Sequence, residues 1–187
     1  MTFKTAILVI LGGVLANNYA FERFLGTAPL LGYSKKGNKL LAVGLGVFTV
    51  VLLSAALTWA VQTCLLVPAS LGFLQPLIFT ALNLCVAYAV SCLAKVLFKK
   101  ELGAFFPVIA VNAAVLGLAL SNARESAGFC QAMLTAVGVG IGFFCGIFVF
   151  SALREKIDEL YVPKAFRGLP VELFAAGIIS MALLAFK

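Results

Sequence analysis

The chain has 187 residues, of which 63% are hydrophobic and 11% charged, with no histidine and a mean hydropathy of +1.13. No water-soluble fold covers that much apolar surface, and a hydrocarbon core about 30 Å thick takes roughly 20 apolar residues per helical span, so the composition predicts an all-α polytopic membrane protein in one domain, residues 1–187. The formal charge of +7 then reports topology in a lipid bilayer, and no nucleic-acid partner is expected.

Six transmembrane helices follow from the apolar runs: Thr5 to Phe21, Leu40 to Val61, Leu74 to Leu97, Phe105 to Leu120, Gly128 to Leu153 and Val171 to Phe186. The start does not read as a cleaved signal peptide. Lys4 gives a thin basic flank, and Ala6 to Leu15 runs straight into an Asn pair with no small-residue cleavage pattern.

The first span runs into NNYAFERFLGTAPLLGYSKK, residues 17–36. Asn17, Asn18, Glu22 and Arg23 lie within or beside membrane-grade apolar sequence, and Gly26, Pro29 and Gly32 interrupt the short apolar piece that follows. Polar side chains persist at membrane depth only where protein or a cavity satisfies them, so the stretch predicts a broken helix lining an internal site. Leu25 to Leu31 is too short to cross and suits a re-entrant segment.

The fourth span places Pro107 in its first turn, where a missing N–H costs little, and sets Asn112 beside the small residues Ala113 and Ala114. Asn112 reads either as an ordinary interhelical amide or, with Asn17 and Asn18, as lining of an ion path at the helix breaks. Ala16-Asn17 before Leu25-Gly26 is echoed by Val111-Asn112 before Leu116-Gly117, about half a chain later. Three spans per half turn the second copy upside down, which predicts two inverted repeats, residues 1–98 and 99–187, with helices 1 and 4 broken.

Span five carries Gly142-x-x-x-Gly146, a pattern of close helix packing, and in the charged stretch after it Arg154 to Glu159 is expected to prolong the helix until Pro163 stops it. That stretch reads as a solvated helix end or as a docking face for a soluble partner. Eleven basic residues (Arg23, Lys35, Lys36, Lys39, Lys95, Lys99, Lys100, Arg154, Lys156, Lys164 and Arg167) fall on one side, and Lys4, Arg124 and Lys187 on the other. The positive-inside rule places both termini outside the cytoplasm.

No catalytic set emerges: there is no P-loop and no nucleophile elbow. Cys64, Cys85, Cys92, Cys130 and Cys145 lack metal-ligand spacing and read as small buried hydrophobes. Cys85 and Cys92 share a face but stand about 10 Å apart along a helix, too far to ligate one small cluster together.

The Asn pair, FLG-x-x-P-x-x-G-x-SKK, N-x-AVLG, and VP-x-x-FRG with its AG-x-x-SMA tail resemble, over the whole chain, the RnfA (RsxA) membrane subunits of Rnf electron-transport complexes, relatives of the NqrE subunits of sodium-pumping NADH:quinone oxidoreductases. Pro29 and Gly32 favour the RnfA side. The resemblance implies a multi-pass subunit of the bacterial cytoplasmic (inner) membrane, in a complex coupling electron transfer between ferredoxin and NAD to Na⁺ or H⁺ translocation. It is an enzyme only as part of that translocase. Implied partners are the other Rnf subunits, among them a homologous RnfE-like membrane protein.

The resemblance also implies a [2Fe–2S] cluster shared with the RnfE-like partner, two cysteines from each chain. In this sequence the two ligand positions are Ala28 and Ala113. Alanine has no donor atom, so the cluster is expected not to be ligated by this chain. Losing both ligands together suggests a lineage that dispensed with the cluster or a deliberate alteration. Two alternatives follow: a redox-inactive scaffold subunit, or a non-redox transporter of a small solute or ion using Asn17, Asn18, Gly26, Pro29, Gly32, Asn112 and Gly117 at the helix breaks.

Overall fold

The computed structural model describes residues 3–16, 18–23, 25–26, 37–98, 112–157, 162–163 and 166–185. Six α-helices occur among them: α1 (Phe3–Leu11), α2 (Gly37–Val61), α3 (Gln75–Phe98), α4 (Ala113–Arg124), α5 (Phe129–Lys156) and α6 (Leu169–Leu184). No strand occurs among the described residues. Apolar stretches at 43–66, 72–93 and 129–153 are long and apolar enough to cross a membrane. With 12 residues, α4 reaches only about 18 Å at 1.5 Å per residue, half a bilayer.

The molecule is built on α2 and α5. Val43, Val47, Val50 and Val51 of α2 meet Phe143, Ile147 and Phe150 of α5 in the buried core. Between helices in lipid there is little hydrophobic driving force, so association depends on fit. Here the fit is reciprocal: the Phe48 ring lies where a Cβ on Gly140 would come within 2.6 Å, and the Phe144 ring within 2.7 Å of one on Gly44. On the other flank of α5, Gly138 and Gly142 let the first segment approach backbone to backbone. A Cβ on either would fall 2.9 Å from a carbonyl oxygen, that of Ile10 or of Gly13. Gly142-x-x-x-Gly146 is thus a packing device, as the sequence pattern suggests, and it extends back to Gly138.

Outside this core the polarity is that of a lipid-solvated protein. Leu45, Leu53, Leu57, Phe73, Leu77, Leu93, Phe174 and Met181 are exposed, and helices apolar all round are the expected solution in hydrocarbon. The same solvent corrects the reading of the cysteines as buried: Cys64, Cys85, Cys130 and Cys145 are exposed on this chain and Cys92 is half-buried, since a small apolar side chain gains little from leaving lipid.

Two ladder irregularities are not visible as apolar runs. α1 widens into a π segment at Gly12–Ala16, and α2 continues as another at Gln62–Leu66. In the second, Pro68 offers no N–H to the carbonyl four residues back, and Val67 N–H bonds Gln62 at 3.0 Å instead. α5 ends at Lys156 rather than continuing to Glu159, because Ile157 is extended (ψ 104°). A β-branched residue followed by two acids is a poor helix C-terminus. α6 restarts after Gly168 at φ +81°, with Pro170 in its first turn.

Candidate functional site

The first break follows the π segment, and Asn18 closes its loose ends. Its Nδ2 donates to the carbonyls of Val14 at 2.9 Å and of Gly142 on α5 at 3.2 Å, while its Oδ1 accepts from the N–H groups of Ala20 at 3.0 Å and Phe21 at 3.4 Å. Glu22 N–H to the Asn18 carbonyl (2.8 Å) and Leu25 N–H to that of Tyr19 (2.9 Å) complete the turn. A carboxamide both donates and accepts, so one buried side chain satisfies the end of one helical piece and the start of the next. Ser180 of α6 adds an Oγ–H bond to the Phe21 carbonyl at 2.6 Å, and Arg23 lies over the Tyr19 ring at 4.6 Å.

The second expected break is at Asn112, where the structure shows the start of α4 after an extended residue (ψ 107°), the residues before it lying outside those described. Its Oδ1 accepts from Ala114 N–H at 2.9 Å and its carbonyl from Val115 N–H at 3.1 Å, the work of an N-cap. Asn112 is 4% exposed, and its Nδ2 has no hydrogen-bond partner among the described residues.

Glycines bring the two breaks together against α5. At Gly26, φ is +78°, and a Cβ would fall 2.5 Å from Asn112 Oδ1 and 2.9 Å from Phe143 Cε2. A side chain is excluded there both by conformation and by space. Gly117 similarly admits Leu25, whose Cδ1 would stand 2.7 Å from an added Cβ. Asn18 therefore sits on Gly142, and the Gly26–Asn112 contact on the next residue of the same helix, Phe143.

Of the residues singled out in the sequence, Asn18, Gly26, Asn112 and Gly117 converge. Asn17, Ala28, Pro29 and Gly32, with residues 27–31 of the re-entrant segment and Pro107, lie outside the described residues. Ala113 is exposed at the start of α4, a methyl group with no donor atom. Glu22 is half-buried. The sequence reading missed Tyr19, Ser180 and Phe143, which look like ordinary membrane residues until the chain is folded; only the Tyr beside an Asn pair offered a signal. It also missed a second group of buried polar side chains, Gln62 and Asn122, at the α2–α3 and α4–α5 connections.

Comparison with known proteins adds to this geometry. A family model described as Rnf-Nqr subunit, membrane protein, matches residues 6–187. The A subunit of an ion-translocating oxidoreductase complex from Syntrophotalea carbinolica is 36% identical over 187 residues, covering 98% of this chain and 96% of the relative. The A subunit of a Na(+)-translocating ferredoxin:NAD(+) oxidoreductase complex from Acetobacterium woodii is 35% identical over 190 residues, 98% and 97% of the two chains. The A subunit of an ion-translocating oxidoreductase complex from Azoarcus sp. is 38% identical over 186 residues, 96% and 95% of the two chains.

Proposed function

Because the chain belongs to the Rnf-Nqr family of membrane subunits, we propose that it is the A-type subunit of an ion-translocating oxidoreductase complex, coupling electron transfer between ferredoxin and NAD to movement of Na⁺ or H⁺ across the bilayer. The observation that carries this reading is similarity over nearly the full length of relatives bearing those names. The chain contributes a membrane-embedded scaffold to a multi-subunit enzyme and has no catalytic residues of its own in this reading.

The two halves are inverted repeats, 1–98 and 99–187. Asn18 and Asn112 support this, because each accepts from the N–H two residues on at a helix break. Both termini face away from the cytoplasm of a bacterial inner membrane, as the basic-residue asymmetry supports. The direct neighbour is a homologous RnfE-like subunit inserted in the opposite sense. This chain supplies no ligand to a [2Fe–2S] cluster at that neighbour, because Ala28 and Ala113 carry methyl groups where thiolates are needed. The same two alanines favour a second reading, a subunit that keeps the scaffold and passes no electrons.

Affinity purification of the tagged chain from its native membranes tests the main reading. Flavin- and iron–sulfur-bearing subunits should co-purify, and deleting the chain should abolish reduced-ferredoxin-driven NAD⁺ reduction with ion uptake in inverted vesicles. A chain that purifies alone, with both activities intact in the deletion strain, overturns it. Ion uptake lost while electron transfer persists favours the scaffold reading.

A further inference from the structure

Thr58, Gln62 and Asn122, polar residues away from the helix breaks, line a cavity of about 260 Å³ where the end of α2 and its π segment meet the end of α4. Its walls include Thr58, Trp59, Gln62, Thr63, Phe79 and Asn122. We propose that this cavity is a vestibule that binds a hydrated monovalent cation. The proposal deepens the reading of the chain as part of an ion translocase and rests on it for its biological meaning, the cavity lying at the C-terminal ends of α2 and α4.

The groups that the walls still have to offer decide the guest. Thr58 donates its hydroxyl proton to the Ser54 carbonyl at 2.6 Å and Thr63 to that of Trp59 at 2.5 Å. Both oxygens therefore have lone pairs and no proton left for a guest. The Trp59 Nε1–H is taken by the Ala127 carbonyl at 3.0 Å. Gln62 Oε1 is buried with no hydrogen-bond partner among the described residues. Asn122 is 9% exposed, and its Nδ2 is also without one there. Rotation of that carboxamide presents either its oxygen or its nitrogen.

The Thr58, Thr63 and Gln62 oxygens are left as acceptors, and Asn122 Nδ2 as a donor without a partner among the described residues. A guest with positive charge and part of its water shell thus meets three oxygens directly, with the Asn122 carboxamide turning its oxygen inward or bonding to a shell water. No carboxylate stands among the described lining residues, and a doubly charged cation, which binds through several carboxylates, is poorly matched. A single charge with part of its water shell fits, since the volume is several times the roughly 30 Å³ that one water occupies. Gln62 opens the π segment, and such one-turn widenings of a helix are frequent at functional sites. Thr58 and Asn122 come from helices on opposite sides of the cavity, so the site depends on the folded bundle and not on one local stretch.

Trp59 is the single tryptophan of the chain and forms part of the wall, which provides the measurement. The full-length chain in lipid nanodiscs is titrated with NaCl and with KCl against choline chloride at constant ionic strength while Trp59 emission is followed. The expected result is a saturable change with at least one alkali cation and none with choline, weakened at least tenfold in Gln62→Leu and in Asn122→Leu. If either leucine variant does not fold, Thr58→Val, which keeps the shape of the side chain, is read in its place. No saturable change, an equal response to choline, or wild-type titrations in the variants overturn the proposal. An alkali-cation response in a chain that does not co-purify with oxidoreductase subunits removes the function proposed above and keeps the site; co-purification without such a response removes the site alone.

Discussion

At the first break Asn18 uses both ends of its carboxamide, holding Val14 and Gly142 with its nitrogen and Ala20 and Phe21 with its oxygen, whereas at the second Asn112 uses its oxygen on Ala114 and leaves its nitrogen buried without a partner among the described residues. The residue type and the capping role are the same. The surroundings differ, because Asn18 faces a carbonyl of the central helix across a glycine contact and Asn112 faces a glycine that offers it no acceptor. The first break is thus closed by the chain's own backbone. The second is left with one unmet donor among the described residues and an exposed Ala113 beside it. A buried N–H group without an acceptor costs about 1–3 kcal/mol, so the asymmetry is large enough to measure.

The contrast would be broken most severely at α5. A valine at Gly142 must find room where a Cβ already lies 2.9 Å from the Gly13 carbonyl oxygen and 3.2 Å from Asn18 Nδ2. The Gly13 oxygen and Val14 Cα, at 3.1 Å, are backbone, and Asn18 Nδ2 is held by its bonds to Val14 and Gly142, so Gly142→Val is expected to destabilise by about 3 kcal/mol, the upper part of the usual over-packing range. Equilibrium unfolding in mixed micelles measures it. A loss under about 1 kcal/mol would mean that the first segment is not held against α5.

Asn18→Leu is next. Of its four bonds one, to Gly142, joins two helices and is worth about 0.6 kcal/mol, and losing the three local ones, a turn cap among them, adds about 1–1.5 kcal/mol, about 2 kcal/mol in all. Asn112→Ala removes a single cap and should cost about 1 kcal/mol. Asn112→Ser sharpens the comparison, since a hydroxyl can still accept from Ala114 N–H while the unmet Nδ2 disappears; it should lie within about 0.5 kcal/mol of the parent chain. Should Asn112→Ala cost as much as Asn18→Leu, the second break is as fully bonded as the first and needs no outside partner.

The helices, and the end of helical structure near Asn18, were legible because both are written in composition: apolar runs set helix positions, and an amide followed by glycine inside such a run has few other uses. The meeting of the breaks was legible only as a weak repeat. What the sequence could not display is how contacts are shared. Asn17 and Asn18 look equivalent on the page, and it takes the position of Gly142 to make Asn18 the residue that bridges to α5. The π segments escaped for a related reason, since a ladder bond that slips by one residue leaves the apolar pattern unchanged. The end of α5 was misjudged because charge and helix propensity favoured Arg154 to Glu159, whereas the backbone turns extended at the β-branched Ile157.

The smallest effect on stability is expected where the functional consequence is greatest. Ala113 is exposed beside Asn112, and a thiol there meets no crowded neighbour, so Ala113→Cys should change stability by less than about 0.5 kcal/mol. In the function proposed above, adding Ala28→Cys would supply both thiolates, and with an RnfE-like partner contributing two cysteines they would make the set of four that a [2Fe–2S] cluster needs. Electron paramagnetic resonance of the reduced complex should then show a [2Fe–2S] signal in the double variant, and none attributable to that site in the parent chain or in either single variant. The buried Asn112 makes the outcome informative about geometry as well, because a cap that holds residue 113 at the start of α4 holds the sulfur of its cysteine in the same place. No signal in a double variant that folds and retains its partner would show that the alanines do not mark a vacated cluster site. A signal already present in the parent complex and lost when one of Cys64, Cys85, Cys92, Cys130 or Cys145 is replaced would move the ligand assignment to that cysteine.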